Sequence, residues 1–136
     1  MVNSPKIPQP TEAELAILEV LWEAGAGTVR EVHDTLHRTG KARTGYTTVL
    51  KLMQIMARKG LVDRDESNRS HVYVPTCSRE DTQTDLVGDL IQRAFAGSAS
   101  QLVLRALSSN RASREELDAI RSMLDEHEAA EEGGRS

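Results

Sequence analysis

The stretch from Arg43 to Gly60, RTGYTTVLKLMQIMARKG, constrains this chain more than any other. Val49, Leu52, Met53 and Met56 recur at i, i+3, i+4 and i+7, the period of a helix that buries one stripe. Thr47, Lys51, Gln54 and Arg58 recur at i, i+4, i+7 and i+11 on another face, which can hydrogen-bond and carries no acid. Gly60 supplies the stop, after Arg58 and Lys59 in the last turn, where cations suit the helix dipole. LVDRDESNRSHVYVP follows directly and reads as a hairpin. Leu61–Asp65 and Ser70–Val74 alternate, Ser67-Asn68-Arg69 provides the turn, and Pro75 ends the second strand. Val72 and Val74 share one face of that strand, with Leu61 expected to cap the pair. A two-stranded hairpin is marginal alone, so it must lean on the helices.

Two helices are expected before this stretch. Residues 1–10, with Pro5, Pro8 and Pro10, form an extended lead-in. Thr11-Glu12-Ala13-Glu14 is a capping box, and Leu15, Leu18, Leu21 and Trp22 form an apolar stripe that Gly25 and Gly27 end. Trp22 at this spacing reads as core packing rather than a ligand platform. Thr28-Val29-Arg30-Glu31 is a second capping box, opening a short helix with Val29, Val32 and Leu36 that closes near Arg38. Thr39 to Arg43 is a basic loop. Two helices, a tight loop, a third helix with a polar outer face and a hairpin make a winged helix-turn-helix, an arrangement that reads DNA.

After Cys77 the pattern changes. Ser78-Arg79-Glu80-Asp81 starts a helix with Leu86, Leu90 and Ala94 in one stripe, Val87 and Ile91 beside it and Phe95 at its close. Gly97-Ser98 breaks it. Leu102, Val103 and Leu107 mark a second short helix ending at Asn110. Ser113-Arg114-Glu115-Glu116 is a third capping box, before a last stripe of Leu117, Ile120, Met123 and Leu124. These stripes are too few to enclose a core in one copy, so a second copy is expected to cover them. The expected architecture is mainly α with a small β-hairpin: lead-in 1–10, winged helix-turn-helix 11–77, helical dimerisation region 78–130, frayed tail 131–136.

Charge separates the same two parts. The net charge is -4, yet Arg38 to Arg69 carries eight Lys/Arg against three acids, while Ser78 to the end carries seven Arg against twelve acids. A basic segment meets polyanion and an acidic one avoids it. The single cysteine, Cys77, cannot form an intrachain disulfide. No apolar run reaches membrane-spanning length and no signal peptide opens the chain, so a cytoplasmic protein without membrane insertion is expected. His33 and His37 stand at i, i+4, a spacing that can chelate a metal, but no third ligand is near, and Asp34 falls elsewhere on the wheel. They read as surface polar residues, as do His71 and His127; no metal or other cofactor is expected. There is no Ser/His/Asp set, phosphate-cradling glycine loop or paired-carboxylate cleft, so an enzyme is not expected.

TEAELAILEVLWEAGAGTVREVHDTL, GYTTVLKLMQIMARKGLVDRDE and HVYVP occur in that order and closely resemble the BlaI/MecI/CopY family of winged-helix regulators, the penicillinase-repressor type, from about Thr11 to Leu124. The resemblance implies a homodimer that binds a dyad-symmetric operator and represses transcription. It also implies, as a partner, a membrane sensor protease of the BlaR/MecR type that cuts the repressor in its dimer region. The matching run here is Leu102-Val103-Leu104-Arg105-Ala106, so the bond would be Arg105–Ala106, in place of the Asn-Phe of β-lactam-responsive members. The paired C-terminal cysteines of copper-responsive members are absent from this sequence.

On family and geometric grounds Thr47, Thr48 and Lys51 face the bases. A threonine gives or takes a hydrogen bond and its methyl meets thymine; a lysine donates to guanine O6 and N7. Tyr46 and the neighbouring helix amides are expected to hold a phosphate, and Lys41, Arg43, Arg58, Arg64 and Arg69 to contact the backbone on either side. The dimer is expected to bury Leu86, Leu90, Phe95, Leu102, Val103, Leu107, Leu117, Ile120 and Leu124. The runner-up reading is a winged-helix interaction module whose basic face meets an acidic protein.

Overall fold

The capping boxes and apolar stripes take the form expected of them over most of the chain. The structure, a computed structural model, describes residues 8–109 and 112–134. Residues 1–7 of the expected lead-in, Asn110 and the last two residues of the tail lie outside that range. Among the described residues six helices and one hairpin follow in the order α1 (Glu12–Ala24), α2 (Val29–Thr39), α3 (Tyr46–Lys59), β1 (Val62–Asp65), β2 (Val72–Pro75), α4 (Arg79–Ala94), α5 (Ala99–Ser109) and α6 (Arg114–Gly133). The chain forms two compact units, Met1–Val87 and Gly88–Ser136.

In the first unit, Thr11 accepts from the Glu14 amide at 3.2 Å while Glu14 accepts from the Thr11 amide at 2.9 Å, and Thr28 and Glu31 repeat both distances. Each closed box satisfies two amides that the helix cannot pair itself and is worth about 1 kcal/mol. The stripe of α1 lies partly elsewhere than expected: Ile17, Leu18, Val20 and Leu21 are buried, whereas Leu15 and Trp22 are half-buried. Glu14, not Leu15, extends the buried face because Lys59 neutralises it. Val32 and Leu36 of α2 meet Val49, Met53 and Met56 of α3, all buried, with Leu52 only half-buried beside them. Each large apolar side chain so placed contributes roughly 1.5–3 kcal/mol.

The hairpin corrects one expectation. Val62 pairs with Pro75 and Asp65 with Val72, antiparallel. The residue that turns inward is Tyr73, 1% exposed, while Val74 is 40% exposed. Valine-tyrosine-valine fits either face, and a contact remote in sequence decides it. Tyr73 donates its amide to the Gly27 carbonyl at 2.8 Å and accepts from the Gly27 amide at 3.0 Å. The segment after α1 thus acts as a third, single-residue strand, and this is how the hairpin leans on the helices. Gly27 sits in a tight space: a Cβ there would lie 3.3 Å from Leu21 Cδ2, so the leucine would have to give way slightly.

The opening of α4 packs on α1 within the same unit. Trp22 Nε1 donates to the Cys77 carbonyl at 2.9 Å, and the Arg79 guanidinium lies 5.8 Å from the Trp22 ring centre. Arg79 also pairs with Glu19 and Glu23, each at 3.3 Å. Trp22 therefore packs, as expected, and also anchors the chain leaving the hairpin. Leu86 lines a small cavity here with Leu18, Trp22 and Leu61.

The second unit buries little. Phe95, Leu102, Leu117 and Ile120 are half-buried, and Leu90, Val103, Leu104, Leu107, Met123 and Leu124 are exposed. The third capping box forms by half: Ser113 accepts from the Glu116 amide at 3.0 Å, and no return bond from Glu116 is recorded among the described residues. Helix α6 runs to Gly133, past the point where fraying is expected at residue 131, because the Ala and Glu residues from 128 to 132 favour helix. Among the described residues no helix is long and apolar enough to cross a membrane.

Candidate nucleic-acid interface

Helix α3 is flanked by two glycine caps, Gly45 before it with an extended backbone and Gly60 after it in the left-handed conformation. Val49, Met53 and Met56 fix its inner side, so Tyr46, Thr47, Thr48, Lys51, Gln54 and Arg58 are turned to solvent. The helix contains no acidic residue. Two threonine hydroxyls, a lysine ammonium and a glutamine amide thus share an exposed surface, with no side-chain partner among the described residues.

Ion pairing sorts the cations of the first unit into two groups. Lys59 and Arg79 are held by carboxylates, at 2.9 Å from Glu14 and 3.3 Å from Glu19 and Glu23, and do structural work. Among the described residues Arg30, Lys41, Arg43, Lys51, Arg58 and Arg69 carry no recorded salt bridge, which leaves their charge available to an outside anion. Arg64 stands between the groups. It pairs with Glu66, and the Tyr73 hydroxyl followed by Glu66 raises its affinity for the proton beyond the ordinary arginine value, despite some desolvation. Contact with a phosphate there would exchange one anion for another.

The wing is braced at its tip. Asp65 Oδ1 accepts from the Ser67 amide at 2.9 Å and from the Ser67 hydroxyl, and these bonds hold the Asp65 carboxyl below its usual value. Between α3 and β1 a shallow groove is lined by Gln54, Arg58, Arg64 and Glu66. A second groove, roughly 450 Å³, lies between the start of α2, α3 and the hairpin, and carries Arg30, Tyr46, Gln54, Arg64, Arg69 and His71. Lys41 belongs to neither: it lines a separate depression with Arg38, Glu19 and Glu23. Arg43 is exposed in the loop before α3.

Arg30 has no place in the expectation from sequence, where its position inside a capping motif accounts for it. Its guanidinium lies 5.2 Å from the Tyr46 ring centre. The Tyr46 ring meets His33 edge-on at 6.0 Å, and His33 lies 4.3 Å from His37. The signal was present as a polar i, i+3, i+7 row on α2 (Arg30, His33, His37), but only the fold brings that row to Tyr46. Asp34 is not turned away as the helical wheel suggests: its Oδ1 is 3.0 Å from His33 Nδ1. His37 Nε2 donates to the Thr44 carbonyl at 2.9 Å and staples the turn before α3. Among the described residues no three His, Cys, Asp or Glu side chains gather as a metal site.

Three helices, a hairpin braced on the first of them and an acid-free, outward-facing third helix define a winged-helix protein of the DNA-binding kind. The chain belongs to the penicillinase repressor family, whose model matches residues 10–126; it is a family of DNA-binding transcriptional repressors, not of enzymes. It is 28% identical over 124 residues to the penicillinase repressor of Bacillus licheniformis, covering 90% of this chain and 94% of that one. It is 31% identical over 125 residues to the transcriptional regulator BlaI of Mycobacterium tuberculosis, covering 91% of this chain and 88% of that one. A solution structure of the DNA-binding domain of the repressor BlaI is 27% identical, covers 57% of this chain and 93% of that domain, and superposes with a TM-score of 0.49.

Proposed function

We propose that this chain is a cytoplasmic, homodimeric repressor that binds a dyad-symmetric operator, with α3 in the major groove and the hairpin on the backbone. The observation that supports this reading is the face of α3: exposed, without an acid, and bearing Thr47, Thr48 and Lys51, the lysine having no salt bridge among the described residues. Thr47, Thr48 and Lys51 read base edges, while Tyr46, Arg43, Arg58 and Arg69 position the backbone. Lys41 and Arg64 are weaker contacts, the first because it faces Glu19 and Glu23, the second because Glu66 already holds it.

In this reading residues 11–77 bind DNA and residues 78–130 dimerise. The support for the second role is the exposure of Leu90, Val103, Leu107 and Leu124 in a single copy. Two copies related by a two-fold axis place their third helices one or more DNA turns apart, roughly 34–36 Å per turn. Arg105–Ala106 lies exposed within α5, and a BlaR/MecR-type sensor protease would have to unwind that helix before cutting there.

Titration of the purified protein against duplexes tiled across its genomic neighbourhood, at physiological salt with scrambled competitor, tests the reading. Nanomolar binding of two protomers to one dyad-symmetric tile is expected. Equal weak binding to every tile would reject it in favour of an acidic protein partner for the same face.

A further inference from the structure

We propose that Arg30, held over the Tyr46 ring, forms a backbone seat on the α2 side of the recognition helix, which takes one phosphodiester of duplex DNA between α2 and the wing. The proposal rests on the DNA-binding reading and deepens it. The groove at this place, roughly 450 Å³, has Arg30 and Tyr46 on one wall and Arg69 and His71 on the other. Arg30 and Arg69 have no recorded carboxylate partner among the described residues. The one acid in the lining, Glu31, is committed to the Thr28 amide at 2.9 Å and completes the helix cap. Among the described residues the groove is therefore a cationic slot with no acidic side chain free to neutralise it.

The contact with Tyr46 decides what Arg30 can do. A guanidinium 5.2 Å over an aromatic ring is held by cation–π attraction and keeps its N–H donors for another partner. Those donors form a fork that matches two phosphate oxygens, and it is already oriented, so little side-chain entropy is lost on contact. Tyr46 is in turn set by the edge contact with His33, which packs on His37, which is tied to the Thr44 carbonyl. The shelf is thus built jointly by α2 and α3. Tyr46 thus positions the backbone through Arg30, its ring serving as the platform and its hydroxyl contributing little. Duplex DNA is the occupant because the groove is continuous with the base-reading face: Tyr46 opens α3, and Gln54, one turn beyond Lys51, lines the same groove.

The test is binding of the full chain to its operator tile at several salt concentrations, with melting temperature as the folding control. Arg30→Ala is expected to bind about tenfold more weakly, to every sequence alike, and to lower the salt slope by about one. Tyr46→Ala should lose a similar factor, and the Arg30→Ala/Tyr46→Ala double variant little more, because the two act as one unit. Tyr46→Phe should recover most of the loss seen in Tyr46→Ala. An Arg30→Ala protein with unchanged affinity and slope, while Lys51→Ala still loses discrimination, would overturn the seat and leave the DNA reading standing. If wild type binds no duplex, both fall together. A side-chain NMR signal of Arg30 that moves with millimolar inorganic phosphate and not with duplex would assign the slot to a free anion and overturn the proposal.

Discussion

Lys59, in the last turn of α3, places its ammonium 3.0 and 2.9 Å from the two carboxylate oxygens of Glu14, the third residue of α1. Glu14 is also the acid of the first capping box and is only 1% exposed. One carboxylate therefore closes the cap of α1 and fixes the end of α3.

The consequence is a stability that depends on pH. Burial alone would raise the Glu14 carboxyl, but the Thr11 amide, the Lys59 ammonium and the Thr11 hydroxyl outweigh it and hold it below its ordinary value of 4.5. A carboxyl depressed in the folded state contributes stability that is fully present above the unfolded value and is lost as pH falls through the folded one. The melting temperature should hold its Glu14 contribution down to about pH 4.5 and lose it below. Glu14→Gln should remove that part of the profile and cost about 2 kcal/mol at pH 7. This is less than the roughly 3–5 kcal/mol for breaking a fully buried pair, because Lys59 can turn to solvent. Thermal melts of both proteins between pH 3 and 7 decide it; parallel curves would show that the pair is idle.

Base reading and backbone gripping should separate by variant. Lys51→Ala is expected to weaken operator binding by about 1–3 kcal/mol and relax sequence preference, since the contact proposed for its exposed ammonium is with base edges. Arg69→Ala should weaken all duplexes alike and lower the salt slope by about one. Competition titrations with operator and scrambled DNA at two or more salt concentrations measure both. Equal loss of discrimination in the two variants would remove the distinction between the helix and the wing.

The register of the hairpin depends on Gly27 and Tyr73. Gly27→Ala puts a Cβ 3.3 Å from Leu21 Cδ2, and Leu21 is fully buried and cannot withdraw freely. About 1–2 kcal/mol of destabilisation is expected, in line with overpacking of a filled core. Tyr73→Ala, which empties the inward position of β2, should cost about 3–5 kcal/mol. Denaturant titrations give both values; a neutral Gly27→Ala would mean that the segment after α1 shifts without loss.

What could be read in the sequence follows the range of the interactions. The caps at Thr11 and Thr28 are local: each needs only an acid three residues on, and both formed as expected. The inner stripe of α3 is nearly as local, since Val49, Met53 and Met56 repeat at helical spacing. Tyr73 was hidden because a valine-tyrosine-valine strand can turn either way, and Gly27, 46 positions earlier, selects the face. Arg30 was hidden for the same reason, being brought to Tyr46 across two elements. Leu86 fits the apolar stripe of its helix and yet lines the cavity beside Trp22, a contact invisible to periodicity.

The exposed stripes of the second unit lead to the last prediction. Leu107 is 39% exposed on α5 and Leu124 is 58% exposed on α6, each beside other apolar residues. Such surface is costly in water at about 25 cal/mol per Å², and a second copy offers the same surface in return. In the proposed dimer a charge at either position would have to be buried unpaired. Leu107→Lys or Leu124→Glu should therefore convert a two-chain particle to one chain at micromolar concentration, with the melting of the first unit little changed. Operator affinity should fall with it, because a half-site bound by one protomer loses the second helix and its share of the contacts. Sedimentation equilibrium read beside DNA titration tests the link. Variants that stay paired, or a wild type that is already a single chain, would place the dimer surface elsewhere.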